Sequence, residues 1–125
     1  MQCPCQSDKA YADCCEPYHI EKATAPTAEI LMRARYSAYA LSNDKYLHKS
    51  WSKLTRPSKK TLRKNQADTW LSLRIVSTCK GMMLDAEGSV EFVARYHAEG
   101  KEYTLYETSY FTRENGKWVY LDGNY

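Results

Sequence analysis

The sequence predicts an α+β fold in which helices pack on an antiparallel sheet, with a small cysteine-rich head in front. Three observations carry this. Apolar residues recur at helical spacing from residue 27 to 41, the period falls to two from Trp70 onward with two tight-turn signals, and Cys3, Cys5, Cys14 and Cys15 crowd the first fifteen residues. Helices and strands segregated along the chain favour the α+β class. A length of 125 residues suits one domain with at most a small appendage.

The stretch Ala23 to Pro26 reads as a connector, after which Thr27 can cap a helix whose second position, Glu29, suits the positive end of the helix dipole. Leu31, Ala34, Ala38 and Leu41 share one face of that helix, Ile30 lies beside it, and Met32, Tyr36 and Tyr39 widen the stripe, so most of the helix should be buried. A shorter helix is expected from Asp44 to Trp51. Arg56-Pro57 then breaks the chain before a third from Ser58 to Asn65.

In the segment WLSLRIVSTC, Leu71, Leu73 and Ile75 alternate with Ser72 and Arg74, as a half-buried strand requires. Glu99-Gly100 and Asn115-Gly116 suit two-residue hairpin loops. The first turn sets Phe92 opposite Glu107, Ala94 opposite Leu105 and Tyr96 opposite Tyr103; the second sets Phe111 opposite Tyr120 and Arg113 opposite Trp118. One apolar face results, made of Val90, Phe92, Ala94, Tyr96, Leu105, Phe111, Trp118 and Tyr120, and a slip of one residue would destroy it. The other face, with Glu91, Arg95 and His97, is mixed. A protein partner, or a second copy in a homodimer, is expected to cover Val93, Tyr106, Val119 and Leu121 there.

A hydrophobic fraction of 43% fills a core, while 26% charged residues and a mean hydropathy of −0.68 exclude a membrane protein. No run approaches the roughly 20 apolar residues of a spanning helix. The N-terminus lacks the basic and apolar regions of a secretory signal, so a cytoplasmic location is expected. The net charge of +3 conceals eight basic residues between 45 and 67 (Lys45, Lys49, Lys53, Arg56, Lys59, Lys60, Arg63, Lys64) with no acid among them. Clustered cations attract phosphates or acidic proteins. Only Tyr46 and Trp51 interleave with them and no nucleic-acid motif is present, so a solvated helix face outweighs nucleic-acid or ribosome binding.

Four thiols at Cys3-x-Cys5 and, eight residues on, Cys14-Cys15 suit tetrahedral zinc, with Ser7-Asp8-Lys9 supplying the reversal between the pairs. In a reducing compartment this outweighs a Cys14-Cys15 disulfide, a redox dithiol or a disordered tail. So short a head has almost no core of its own and depends on metal for its fold. His19 could replace one cysteine, although a role outside the ligand set is commoner for such a histidine.

CPCQSDKAYADCC resembles the SEC-C motif, a small zinc module, whose four ligand positions match Cys3, Cys5, Cys14 and Cys15 one by one. The motif usually carries Gly-Ser-Gly after its second cysteine; Gln6-Ser7-Asp8 stands here, so left-handed backbone would have to be borne without glycine. CCEPYH, LMRARYSAYAL, TRP, VEFVARY and ENGKWVYLDG resemble the YchJ-type family of uncharacterised bacterial proteins. That resemblance covers nearly the whole chain and implies a SEC-C module at residues 1–22. Residues 27–125 would then form a domain of the nuclear transport factor 2 superfamily, a cone of helices and curved sheet around a pocket.

Glu107 is the most unusual polar residue of the sheet, because its parity sets it on the apolar face between Leu105 and Phe111. A carboxylate there needs a cation or a wet pocket. A buried salt bridge to Arg35 or Arg33 is the favoured expectation, and a pocket base the other. Tyr36, Tyr39, Trp51, Tyr96, Trp118 and Tyr120 could line such a pocket or be plain core. The chain therefore reads as a non-enzymatic zinc protein that contacts a partner or holds a small apolar ligand. A small acid/base lyase, isomerase or hydrolase using Glu107 is the alternative.

Overall fold

The computed structural model describes residues 1–64 and 69–124. A 3-10 turn at Tyr11–Asp13 precedes helices α1 (Glu16–His19), α2 (Ala28–Ala40), α3 (Asp44–Lys49) and α4 (Lys59–Lys64). Strands β1 (Thr69–Lys80), β2 (Glu87–Ala98), β3 (Lys101–Glu114) and β4 (Lys117–Asn124) follow and form one antiparallel sheet in the order β1-β2-β3-β4. Among the described residues no helix is long and apolar enough to cross a membrane.

Caps set the helix limits. Thr27 Oγ1 accepts from the Ile30 amide at 3.2 Å, Asn43 Oδ1 from Tyr46 at 3.1 Å, and Ser58 Oγ from Thr61 at 3.2 Å. Leu41, expected on the buried stripe, is 40% exposed because α2 ends one residue before it. α3 stops two residues short of Trp51, since residues 50–52 leave the helix to pair with β4. Ser52 N donates to Tyr120 O at 2.7 Å, and Tyr120 N donates to Ser50 O at 2.8 Å. Asn65, the expected end of the third helix, lies outside the described residues.

Both hairpins adopt the registers expected from their turns, with Ala98 opposite Lys101 and Glu114 opposite Lys117. Glu99 and Gly100 have φ of 51° and 79°, and Asn115 and Gly116 have 53° and 78°, the paired left-handed residues that a two-residue loop of this hand requires. Register shifts at Trp70/Ser72 and Ile75/Ser77 in β1, and at Tyr110/Phe111 between β3 and β4, mark bulges that bend the sheet toward α2.

The apolar sheet face meets α2 as expected: Val90, Phe92, Ala94, Phe111, Trp118 and Tyr120 are buried, and Tyr96 and Leu105 half-buried. On the opposite face Tyr106 is 65% exposed, but Val119, expected to await a partner, is buried within the chain. The segment after α3 crosses this end of β4: Glu114 accepts from the Ser52 hydroxyl at 2.6 Å, and Thr55 Oγ1 donates to Leu121 O at 2.6 Å.

Phe111 is 1% exposed and packs edge-on against Tyr120. Phe111→Ala should lower stability in urea unfolding by about 3–5 kcal/mol. Tyr106→Ala on the outer face should shift it by no more than about 0.5 kcal/mol.

Candidate metal centre and aromatic cavity

The head is a miniature hairpin. Gln2 bridges Ala10, Cys3 N donates to Lys9 O and Tyr11 N to Met1 O, both at 2.9 Å. The reversal is left-handed at Gln6 (φ 66°) and Asp8 (φ 69°), the two positions where the motif it resembles carries glycine. The loop thus keeps that geometry with side chains in place, and Gln6 uses its own to donate from Nε2 to Leu71 O at 2.9 Å. After the 3-10 turn, Cys14 and Cys15 return to face Cys3 and Cys5.

All four Sγ atoms lie within 4.8 Å of one another, with 3.6 Å between Cys5 and Cys14 and 3.9 Å between Cys14 and Cys15. A tetrahedron with metal–sulfur bonds of about 2.3 Å has edges of about 3.8 Å, so the set has the dimensions of a thiolate metal site. All five cysteines are free thiols, so no disulfide joins Cys14 to Cys15. Hydrogen bonding from Cys15 holds the Cys5 thiol down at about 4, whereas Cys15, donating to Cys5 and buried, is pushed well up, and burial raises Cys14 as well. The protons are thus shared out unevenly, and four thiolates this close need a divalent cation among them.

The larger domain supplies the surroundings of these sulfurs. Ser37 of α2, fully buried, donates its hydroxyl to Cys15 Sγ at 3.3 Å and lies 3.4 Å from Cys3 Sγ. Ser7 Oγ stands 3.1 Å from Cys14 Sγ, and Arg33 donates to the Cys5 carbonyl at 3.0 Å. His19 is not among the ligands. Its Nε2 donates to Ala34 O at 2.8 Å, its Nδ1 accepts from the Tyr11 hydroxyl at 2.6 Å, and burial lowers its pKa, which keeps the ring neutral.

On the far side of α2, a cavity of about 360 Å³ opens between the helix, the sheet and Trp51. Tyr36, Tyr39, Trp51, Tyr96 and Glu107 line it together, with Tyr120. Trp118, expected among them, does not: its Nε1 donates to Pro26 O at 3.2 Å, and it borders a separate cleft beneath the connector. The parity that placed it on the inner face is right, but its strand position lies at the connector end of that face.

Glu107 is 8% exposed and not ion-paired among the described residues, contrary to the expected salt bridge. It accepts from the hydroxyls of Ser109 and Tyr120, the latter at 3.2 Å. Arg33 is engaged by Glu29 at 3.3 Å. Arg35, 2% exposed, donates to Leu47 O at 3.0 Å and Ser50 Oγ at 2.7 Å. Its guanidinium stacks 4.8 Å from the Trp51 ring centre and 4.6 Å from that of Tyr120.

Sequence reasoning missed Arg35, Trp70 and Ser109 as cavity residues. The available signal was Gly123, a glycine inside a strand. A Cβ there would stand 2.8 Å from the Tyr120 hydroxyl and closer still to the Glu107 carboxylate, so the glycine leaves room for that pair. The basic segment is partly balanced by acids from elsewhere, Lys49 by Glu21 at 2.5 Å and Arg63 by Asp44 at 3.1 Å.

Ser37→Ala retains every sulfur but removes a hydroxyl that orients two of them. It should weaken metal affinity about tenfold, read by competition with a chromophoric chelator.

The family model described as "YchJ, middle NTF2-like domain" matches residues 27–123, and the SEC-C motif model matches residues 2–17. A UPF0225 protein of Chromobacterium violaceum is 42% identical over 122 residues, 97% of this chain and 90% of the relative. One of Streptomyces coelicolor is 38% identical over 123 residues, 98% of this chain and 94% of the relative. The solution structure of a SEC-C motif containing protein from Rhodopseudomonas palustris superposes with a TM-score of 0.88 at 32% identity, covering 99% and 98% of the two chains. The crystal structure of one from Psychrobacter arcticus gives 0.80 at 29% identity, covering 96% and 80%. With both models matched and relatives along its whole length, the chain belongs to the YchJ family, UPF0225, which joins a SEC-C motif to an NTF2-like domain.

Proposed function

We propose that the head holds one structural zinc ion on the thiolates of Cys3, Cys5, Cys14 and Cys15, and that the domain behind it is a non-enzymatic module whose cavity binds a small ligand. Four sulfur donors leave no open coordination position, which suits a structural ion, and zinc accepts this tetrahedral soft-donor set without redox chemistry. The cavity carries the functional half of the reading. A buried carboxylate held by hydroxyls and facing aromatic walls, ion-paired with no cation among the described residues, is costly for stability alone and useful for recognition.

Metal analysis of the purified chain should find about one zinc per molecule, lost in the Cys14→Ser/Cys15→Ser variant. Ligation needs thiolates, so affinity should fall as pH falls and the sulfurs take up protons. A folded, metal-free protein overturns the zinc half.

A library of small aromatic and aliphatic fragments, followed by the indole N–H resonances, tests the cavity. Ligands should move the signals of Trp51 and Trp70, which line it, and leave that of Trp118, which is bonded to Pro26. A library without one such compound rejects the cavity as a binding site. The lack of an ion-pair partner among the described residues also favours a second reading, Glu107 as a general base. In that case a compound found this way would be turned over, and Glu107→Gln would still bind it but stop turnover.

A further inference from the structure

Resting on the reading of the cavity as a ligand site, we infer that its ligand is a small zwitterion. Its ammonium group is held by Glu107 and the ring faces, its carboxylate lies at the Arg35 end, and an apolar side chain fills the cavity between the aromatic walls.

Among the described residues, the cavity contains one buried carboxylate and one buried guanidinium, and they do not pair with each other. Among the described residues, Glu107 is bonded only to hydroxyls, those of Ser109 and Tyr120. Arg35 is bonded to a carbonyl and a hydroxyl, and no carboxylate among the described residues is ion-paired with it. Tyr120 separates them, its ring face under the guanidinium and its hydroxyl on Glu107. The wall therefore carries a dipole of fixed direction in a surrounding of low polarity, where charge is felt strongly.

A ligand bearing one charge satisfies one pole and opposes the other. An organic cation gains Glu107 and the ring faces but meets the field of Arg35, and an organic anion is repelled by Glu107. A zwitterion laid along the dipole pairs with both and leaves the filled cavity neutral. The aromatic walls suit an ammonium group, which is attracted to ring faces, and they suit an apolar body.

The indole nitrogens strengthen the acceptor end. Among the described residues, Trp51 Nε1 and Trp70 Nε1 are buried donors without a partner. Trp51 is also the ring on which Arg35 stacks, so an unmet donor lies at the cationic pole. A volume of about 360 Å³ accommodates a body of amino-acid size.

Four probes sharing one body decide the matter on the full, metal-loaded chain: L-phenylalanine, phenethylamine, 3-phenylpropionate and 3-phenylpropanamide. Phenylalanine should move the Trp51 and Trp70 indole signals, leave Trp118 in place, and bind about tenfold more tightly than each of the other three. Glu107→Gln should weaken phenylalanine about tenfold and remove its advantage over 3-phenylpropionate. If that variant does not fold, the order of the four probes on the native chain decides alone. Equal or tighter binding of a singly charged or amide probe in the cavity overturns the zwitterion while leaving the cavity a ligand site. Silence of both indole signals to all four overturns it too, and the fragment library then says whether the cavity itself fails.

Discussion

Helix α2 is buried on two opposite sides, and the rest of the molecule is arranged around that constraint. One side carries Ser37, whose hydroxyl reaches the sulfurs of Cys15 and Cys3, and the Ala34 carbonyl, which holds His19. The other carries Met32, Arg35, Tyr36 and Tyr39, which line the cavity. A head of some twenty residues cannot bury enough apolar surface to fold alone, so its contacts with the helix must help to hold it together. Small residues make the contact feasible: Ala34, Ser37 and Ala38 are 0% exposed and let the cysteine loop approach the helix axis closely.

The sheet answers the same constraint from the other side. A flat meander would lie against α2 with no gap, whereas bulges in β1 and at the β3–β4 pairing curl the strands and leave space filled only in part by aromatic rings. Trp70 packs against Tyr36, Tyr39 and Tyr96, and Trp51 against Tyr120. Residues 50–52 close the side that β4 would otherwise leave open, and Arg35 holds that segment through Ser50. Burial pushes the Tyr36 phenol up to about 12, so that part of the wall stays uncharged at neutral pH.

Much of this was legible from one dimension. The hairpin registers follow from Glu99-Gly100 and Asn115-Gly116, because two-residue loops with left-handed residues fix pairing locally, and the parity of every residue on β2 and β3 follows from that. The cysteine cluster was legible for a similar reason, since its ligands all come from one fifteen-residue loop. The error lay in partner choice. Glu107 was expected to meet an arginine, but Arg33 is taken by Glu29 within one helix turn, and Arg35 turns toward Leu47 and Ser50. Which of several nearby groups a buried charge selects depends on distances across elements, and alternation along a strand carries no such information.

By itself the sequence determined the α+β class, the cap of α2, both registers and the four-cysteine cluster, all properties of short-range periodicity and turn chemistry. Only the tertiary structure decided that Ser37 serves the sulfurs, that Trp118 belongs to the connector rather than the cavity, and that Gly123 makes room for Glu107. Each of these is a contact between residues distant in the chain, set by how the bulged sheet and the cysteine head wrap one helix. A sequence pattern names the face on which a side chain lies, and packing chooses what it meets there.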